Sequence, residues 1–298
     1  MDRDSFADVV RRAEDAGFDV IGGPDHIGSR LAAVLPMLAF AAGVSSTLRL
    51  SPMVVANDFR HPVLLAKDAA TIDILSDGRF ELGIGTGWIE RQYRAAGIPY
   101  ESASARVGRL EEAVAVIKGC WSGEAFSLNG EHYQVEAVTC PRPVQSPRPP
   151  ILIAGAGPRM LRLAGHEADI VGLSPLNPGR ATFDTFMSDM TTSGERIAAQ
   201  IGWVREGAGS RFSDLELSVV AHYVSVTEHP DPVFEELAAE TNTTVEEVTD
   251  SSHVLVGPTG KIIETLQERR ERYGISYIVF DTDDLGAIGP VVSALAGE

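Results

Sequence analysis

Two ionisable residues, Asp25 and His26, follow Pro24 just after a predicted strand at residues 19–23. An imidazole titrates near neutral pH, so His26 is the best candidate for a proton-transfer group, and the adjacent Asp25 carboxylate could orient it. His61 precedes a proline at a predicted helix start and is better explained as a local cap. His222 lies within a later predicted strand, where its side chain could face either the pocket or the outside.

A glycine-rich turn, AGAGPR at residues 154–159, separates a predicted strand from a predicted helix. Glycines let backbone N–H groups point at a ligand, and a proline at the first helical position needs no donor. Arg159 could add a charge-assisted hydrogen bond to a phosphate. The turn is therefore a candidate phosphate site, although a tight turn with glycines for packing would have the same sequence.

The stretch RFELGIGTGW, residues 79–88, has Gly83, Gly85 and Gly87 at alternate positions. Alternate residues of a strand share a face, so one face would carry no side chains near the strand end. Glycine inside a strand usually marks close approach to the backbone. The spacing does not fit a dinucleotide fingerprint, which would need glycine in place of Trp88. Trp88 could wall a flat ligand or be an ordinary packed aromatic.

The predicted strand ends contain no closely spaced carboxylate pair and no His-x-His pattern. Glycosidase-type chemistry or a metal-bound water therefore has no obvious residues. Cys120 and Cys140 belong to no Cys-x-x-Cys motif or Cys/His cluster and are interpreted as ordinary free thiols. We expect no metal, and a bound organic cofactor that supplies the reactivity.

Short apolar runs alternate with amphipathic helical stretches, which predicts parallel strands joined by right-handed helical crossovers. With 298 residues and no internal change in composition, an α/β fold of the (β/α)8 TIM-barrel type is favoured over an open doubly wound sheet. The chain opens on a helix, so the first strand is expected to be missing from this sequence. The seven predicted strands are 19–23, 48–56, 80–86, 150–155, 169–174, 216–226 and 276–281.

A single domain is expected over residues 1–298, with inserted segments at about 124–148 and 176–214. The first insertion predicts a β-hairpin that turns at Asn129-Gly130. The polar segments 176–214 and 227–253 are candidates for the walls of a substrate pocket.

The net charge is -17, from 42 acidic and 25 basic residues. This excess of negative charge disfavours nucleic acids and anionic membranes as partners. No run of 18 apolar residues occurs, and the N-terminal stretch MDRDSFADVVRRAED is an amphipathic helix rather than a signal peptide. A cytoplasmic location is expected.

Several stretches of the chain together resemble the luciferase-like monooxygenase superfamily. They are AEDAGFDVIGGPDHIG, VVANDFRHPVLLAKDAATIDILSDGRFELGIGTGWIERQYRAAGIPY, RLEEAVAVIKGCWSG and PRPVQSPRPPILIAGAGPRMLRLA. The similarity is greatest to the deazaflavin (coenzyme F420)-dependent oxidoreductases of actinobacterial type. It runs from residue 5 to about residue 285.

The resemblance implies a (β/α)8 barrel that holds coenzyme F420, or alternatively FMN, and transfers a hydride to or from a small organic substrate. Asp25 and His26 would lie near the redox ring, and the bare glycine face would make room for it. A non-prolyl cis peptide is expected near the end of the 48–56 strand. The expected cofactor-binding residues include two further strand-end residues, Trp88 and Ser174. The full set is Val55, Ala56, Asn57, Gly85, Thr86, Gly87, Trp88, Gly155, Ala156, Gly157, Pro158, Arg159 and Ser174.

Trp88 is a departure from the sugar-phosphate dehydrogenases of this superfamily, which carry glutamate directly after the Gly-Thr-Gly run. A sugar-phosphate substrate is therefore disfavoured. An FMN-dependent monooxygenase and a non-catalytic flavin-binding barrel stay open as alternatives. A homodimer is expected from the resemblance alone.

Overall fold

The computed structural model describes residues 2–175, 193–282 and 284–296. The chain divides into two compact units. The first comprises the residues up to Glu14 together with Asp19–Ile153, and the second comprises Asp15–Phe18 together with the residues from Ala154 onward. A single domain over residues 1–298 stays a prediction.

The first unit alternates helices with short parallel strands, as predicted, and ends within strand β7. Its elements are α1 (Arg3–Asp15), β1 (Val20–Gly23), α2 (Val34–Ala42), β2 (Arg49–Pro52), β3 (Val55–Ala56), a 3-10 turn (Asn57–Phe59), α3 (Pro62–Leu75), β4 (Leu82–Gly85), α4 (Glu90–Ala96), α5 (Ala103–Cys120), β5 (Phe126–Asn129), β6 (Gln134–Val138) and β7 (Ile151–Gly155).

Local sequence signals set where two helices of this unit begin. The His61 imidazole accepts a hydrogen bond from the Val63 N–H at 3.3 Å, and Pro62 occupies the first turn of α3. The cap expected for His61 is therefore confirmed. Ser102 caps α5 by accepting from the Ala105 N–H at 3.2 Å. Such caps satisfy N–H groups that have no partner inside the helix.

The predicted strand 48–56 is two strands, β2 and β3. Strand β2 pairs in parallel with β1, and the Met53 N–H still donates to the Gly23 carbonyl of β1. The chain then changes partner, since Val55 pairs with Ile84 of β4. The Met53–Val54 peptide bond between the two strands is cis. The expected non-prolyl cis peptide is thus present. Strand β4 also pairs in parallel with β7.

The segment 124–148 contains the antiparallel hairpin of β5 and β6. Its turn is longer than the two-residue Asn129-Gly130 turn that the sequence predicted, because Asn129 pairs with Gln134 and the loop is 130–133. Glu112 on α5 determines this loop conformation, since its carboxylate accepts the N–H groups of Glu131, His132 and Tyr133 at 2.8–3.0 Å.

The second unit continues the alternation of strands and helices. Its elements after β7 are α6 (Pro158–Glu167), β8 (Ile170–Leu173), α7 (Gly194–Ala208), a 3-10 turn (Gly209–Asp214), β9 (Glu216–Ala221), β10 (Tyr223–Val226), α8 (Pro230–Thr241), α9 (Val245–Asp250), β11 (Val254–Gly257), α10 (Thr259–Tyr273), β12 (Ile275–Phe280) and α11 (Leu285–Leu295).

Strand β9 pairs in parallel with both β8 and β12, and β10 pairs in parallel with β11. The prediction of one strand over 216–226 is wrong, because the chain changes partner at His222. The N–H groups of His222 and Tyr223 both donate to the His253 carbonyl, at 2.9 and 3.3 Å. This turns β10 toward β11, a strand that was not predicted.

Two segments predicted as polar excursions are largely helical where they are described. The segment 227–253 holds α8 and α9, and α9 opens on a capping box in which Thr244 and Glu247 bond each other's backbone N–H groups. In 176–214, the described part is α7 and a 3-10 turn. The rest of that prediction, 176–192, lies outside the described residues.

Candidate active site

His26 lies just beyond the carboxyl end of β1, where the sequence placed it. Its partner is Gln92 on α4, whose amide nitrogen and oxygen lie 3.1 and 3.4 Å from the His26 Nδ1. Gln92 is buried, with 8% of its surface exposed. The contact engages Nδ1, so Nε2 is the nitrogen left to face a substrate. Sequence reasoning missed Gln92, because nothing in its local context distinguishes it from an ordinary helical glutamine.

The expectation that Asp25 orients His26 is wrong. The Asp25 carboxylate instead receives two hydrogen bonds from the Arg60 guanidinium, at 2.5 and 2.9 Å, and one from the Ala56 N–H at 3.2 Å. Its side chain is buried, and a buried carboxylate requires such partners. Asp25 therefore fixes the backbone of β3, and Arg60 is a second residue that the sequence did not reveal.

Asn57 follows β3 and is completely buried. Its amide nitrogen donates to the Tyr133 hydroxyl at 3.3 Å and to Asp58 Oδ1 at 3.4 Å, whereas its Oδ1 has no hydrogen-bond partner. A buried acceptor without a donor is uncommon and costs free energy. Asn57 thus fits a ligand that donates an N–H group, such as the edge of a flavin-type ring.

Two of the three alternating glycines, Gly83 and Gly87, face atoms of the protein itself, which corrects the interpretation that these two make room for a ring. A Cβ on Gly83 would overlap the Pro52 carbonyl oxygen, and a Cβ on Gly87 would overlap the Tyr93 hydroxyl. Gly87 also has a φ of +70°. Backbone and tyrosine, rather than a cofactor, explain glycine at these two positions.

Tyr93 organises the end of β4. Its hydroxyl donates to the Thr86 carbonyl at 2.8 Å and lies 3.3 Å from Asp58 Oδ2, and burial raises its pKa so that it stays a donor. The Thr86 hydroxyl lies 3.3 Å from the Gly87 carbonyl. The Trp88 carbonyl accepts from the Tyr100 hydroxyl at 3.1 Å. The strand end is therefore held rigidly by groups of its own unit.

An open cavity of about 440 Å³ lies beside these residues in the first unit. Its two arginines are both ion-paired: Arg60 with Asp25, and Arg109 with Asp58 and Glu101. The lining residues are Asp58, Arg60, His61, Ile98, Pro99, Glu101, Arg109 and Tyr133.

The glycine-rich turn opens helix α6 in the second unit. Gly157 is the N-cap, has no side-chain cap, and is followed by Pro158 at the first helical position. Gly157 has no side chain to cap the helix, and a helix N-terminus of this kind suits an anion such as phosphate. Gly155 packs against the Met160 side chain. Arg159 lies in the first turn of the helix.

Gln200 of α7 joins two predicted cofactor-binding positions in the second unit. Its buried amide nitrogen donates to the Ser174 carbonyl at 2.9 Å and to the Ala156 carbonyl at 3.3 Å, and the Ser174 N–H donates to the Gly155 carbonyl. The Gln200 Oε1 is buried without a hydrogen-bond partner. The turn is therefore fixed by a glutamine that sequence reasoning did not find.

His222 and Asp281 follow the paired strands β9 and β12, and His222 Nδ1 lies 3.5 Å from Asp281 Oδ2. The His222 ring stacks on the buried ring of His253. His253 Nδ1 donates to the Val220 carbonyl at 2.8 Å, and burial lowers its pKa to about 3. This contact shows that His222 belongs to a histidine pair in the second unit.

The residues that the structure describes hold neither a metal-type cluster nor a membrane-spanning helix. No three His, Cys, Asp or Glu side chains of residues 2–175, 193–282 and 284–296 come together as metal ligands would. Within the same ranges, none of the helices has the length and apolar character needed to cross a membrane.

The sequence profile of the luciferase-like monooxygenases matches residues 1–274. The chain therefore belongs to the luciferase-like monooxygenase family. A curated relative, the F420-dependent glucose-6-phosphate dehydrogenase of Beutenbergia cavernae, is 34% identical over 175 residues, which cover 56% of this chain and 51% of that protein. The oxygenase component of the flavin-dependent trigonelline monooxygenase of Acinetobacter baylyi is 30% identical over 198 residues, 65% of this chain and 54% of that protein.

The chain thus spans about half the length of these curated relatives. Its fold is similar to that of the coenzyme F420 dependent tetrahydromethanopterin reductase of Methanopyrus kandleri, with a TM-score of 0.74 at 19% identity. That likeness covers 98% of this chain and 94% of the reductase. The predicted fold class, a (β/α)8 barrel of the luciferase-like type, is confirmed.

Proposed function

We propose that this chain is an oxidoreductase that transfers a hydride between coenzyme F420 and a small organic substrate. The observation that carries the proposal is His26, a proton-transfer group at a strand end whose Nδ1 is held by Gln92. The name of the Beutenbergia cavernae relative supports F420 as the cofactor. We do not extend the sugar-phosphate substrate of that relative to this chain, because Trp88 stands where a glutamate would be required.

Coenzyme F420, when bound, would supply the hydride chemistry at its deazaflavin ring. In the first unit, His26 Nε2 exchanges a proton with the substrate hydroxyl or carbonyl oxygen while Gln92 fixes the imidazole plane. Asn57 Oδ1 accepts a hydrogen bond from an N–H group of the ring edge, and the Thr86 hydroxyl oxygen can accept another. The Asp25–Arg60 pair holds β3, and with it Asn57, in place.

In the second unit, the N-terminal end of α6 is the proposed site for a phosphate group of the cofactor. The helix dipole at this end, where Gly157 offers no capping side chain, favours an anion there. Arg159 is placed to add a charge-assisted hydrogen bond. These local groups are needed because the net charge of -17 repels an anionic cofactor.

An FMN-dependent monooxygenase is the second candidate. The Acinetobacter baylyi relative supports it, since that protein is named as a flavin-dependent oxygenase component. The residues described above do not favour one ring over the other, because both rings present N–H and carbonyl groups along the same edge.

Titration of the full chain with coenzyme F420 and with FMN, followed by fluorescence quenching, tests the proposal. We expect F420 to bind at least ~tenfold more tightly than FMN, a difference of about 1.4 kcal/mol. Tighter binding of FMN would support the monooxygenase. Binding of neither cofactor would overturn the enzyme proposal.

A matched pair of variants tests the proposed contact between Asn57 Oδ1 and the cofactor ring. Asn57→Ala removes the buried Oδ1 and should weaken F420 binding about tenfold, as expected for loss of one hydrogen bond in a buried site. Asn129→Ala, at an exposed position of the hairpin, should leave it unchanged. Equal affinities of the two variants, both shown to be folded by circular dichroism, would remove Asn57 from the cofactor site.

A further inference from the structure

Both cysteines of the chain lie side by side in the first unit, although they are far apart in the sequence. Cys120 is the last residue of α5 and is fully buried, and Cys140 follows β6 and is half-buried. The two thiol groups are close enough to interact with each other. The sequence contains 2 cysteines, so neither has a competing thiol within the chain.

The packing of the hairpin brings the two thiols together. The Phe126 ring of β5 lies directly on Gly119, so closely that a Cβ on that glycine would overlap the ring. Phe126 pairs with Val138 of β6, which comes shortly before Cys140. The base of the hairpin is thus seated on the C-terminal end of α5, and the chain that leaves it passes Cys120.

We propose that Cys120 and Cys140 are a modification site, at which an intrachain disulfide joins the base of the hairpin to the end of α5. The oxidant is a peroxide. The Cys140 thiolate attacks the peroxide oxygen, so that the O–O bond breaks and a sulfenic acid forms. The Cys120 thiol sulfur then attacks the Cys140 sulfur, the S–O bond breaks, and the Cys120 proton goes to the departing hydroxyl, which leaves as water. Two thiols lose two electrons, and hydrogen peroxide is reduced to two molecules of water.

Exposure determines the order of these steps. Burial raises the pKa of Cys120 to about 12, so this thiol stays protonated and is not the first to react. Cys140 is half-buried and can meet the oxidant. Cys120 then acts as the resolving thiol beside it, which protects Cys140 from further oxidation.

The disulfide would act on the candidate active site through the hairpin loop. Tyr133 in this loop lies 3.3 Å from the Asn57 amide nitrogen, and its ring packs edge-on against His61. Glu112 already ties the loop to α5. A covalent bond at the base would fix the other end of the same hairpin, and so restrict the position of Tyr133.

Oxidation of the purified full chain tests the proposal. The reduced protein is treated with hydrogen peroxide, unfolded in the presence of an alkylating agent, and digested without reductant for mass spectrometry. We expect both free thiols to be lost and a Cys120–Cys140 cross-linked peptide to appear in monomeric protein. The melting temperature should rise, and dithiothreitol should reverse the change.

The variant Cys140→Ser is the matched control, since it changes the half-buried cysteine and leaves the core intact. It should keep its one thiol at Cys120 and show no rise in melting temperature with peroxide. Two alkylated cysteines in the treated wild-type protein, sulfinic acid at Cys140, or a disulfide between two chains would each overturn the proposal. None of these outcomes depends on cofactor binding, so the proposed function is tested separately.

Discussion

Arg60 donates two hydrogen bonds to the carboxylate of Asp25, at 2.5 and 2.9 Å. The Asp25 side chain is 7% exposed and that of Arg60 is 24% exposed, so the pair is largely shielded from water. Removal of one partner leaves a buried charge without compensation, whereas removal of both does not. This asymmetry makes the role of the pair testable.

We expect Arg60→Met to lower the free energy of unfolding by about 3 kcal/mol, because the Asp25 carboxyl group is left buried without its partner. The double variant Asp25→Asn/Arg60→Met should recover part of this loss. Arg94→Met is the control, since it breaks an exposed pair with Glu90 and should change stability by less than about 0.5 kcal/mol. Equal effects of Arg60→Met and Arg94→Met in urea unfolding would show that the buried pair contributes no more to the free energy of unfolding than the exposed pair.

Gly87 and Gly97 allow two reasons for a glycine to be measured separately: a positive φ, and lack of space for a Cβ. Both have a φ of +70°, but a Cβ on Gly97 would meet nothing within 4 Å, whereas one on Gly87 would overlap the Tyr93 hydroxyl. Gly97→Ala should therefore cost about 1 kcal/mol from the backbone alone. Gly87→Ala should cost about 2–3 kcal/mol, because steric overlap is added.

The background Tyr93→Phe removes the overlapping hydroxyl and should reduce the additional cost of Gly87→Ala toward that of Gly97→Ala. Thermal and urea unfolding of the five proteins, wild type included, measures these differences. If Gly87→Ala leaves stability unchanged and only weakens ligand binding, a ligand rather than Tyr93 accounts for the glycine.

The glycines of β4 also show what the sequence can and cannot predict. Their spacing correctly indicates that something approaches the strand closely, but the pattern is the same whether a ligand or the protein's own atoms fill the space. Pro52 belongs to a different predicted strand from Gly83, and the sequence pattern does not show that the Tyr93 side chain folds back onto Gly87. Only the folded backbone identifies them as the neighbours.

The positions of the main strands, by contrast, depend on local patterns and could be predicted. Strand β1, predicted at 19–23, is Val20–Gly23, and strand β8, predicted at 169–174, is Ile170–Leu173. The partners of Asp25 and His26 depend on contacts between distant segments, and the sequence suggested the wrong one. Asp25 pairs with Arg60 and His26 with Gln92, so two adjacent residues have unrelated roles.

Glu14 closes the turn before β2. Its carboxylate accepts from the Thr47 hydroxyl at 2.6 Å, the Ser45 hydroxyl at 2.8 Å and the N–H groups of Ser46 and Thr47. These bonds, those from Thr47 first, lower the pKa of Glu14 from 4.5 to about 2. The ionised form is favoured by folding, so the contribution is present above pH 4.5 and is lost as the pH falls toward 2.

Glu14→Gln should reduce stability at pH 7 by about 1 kcal/mol, a value discounted for the solvent near this carboxylate. The difference from wild type in urea unfolding should shrink between pH 4.5 and 2. Thr47→Val, which removes one donor, should show part of the same effect. A difference that is constant across this range would mean that charge on Glu14 contributes nothing.

His253 should make the second unit sensitive to mild acid. Burial lowers its pKa from 6.5 to about 3, so the folded protein keeps the ring neutral while the unfolded chain protonates it. The contribution of the neutral His253 ring to the free energy of unfolding is fully present above pH 6.5 and is lost as the pH falls toward 3. Up to about 2 kcal/mol of it is lost by pH 5. His253→Phe should flatten the dependence of unfolding free energy on pH between 6.5 and 5, whatever its effect at pH 7. An unchanged slope would contradict a neutral buried His253.

Gln92 should affect turnover more than cofactor binding, if the proposed function holds. Gln92→Met keeps the length of the side chain but removes both amide atoms near His26 Nδ1, so the imidazole loses its hydrogen bond within the site. Because general acid–base catalysis contributes about 10²–10⁴-fold to a rate, we expect kcat to fall at least tenfold. The Kd for coenzyme F420 should stay within about twofold of wild type. Gln134→Met, at an exposed position of β6, should change neither quantity. An equal loss of kcat and cofactor affinity in Gln92→Met would show that the glutamine supports the fold of the site rather than the position of His26.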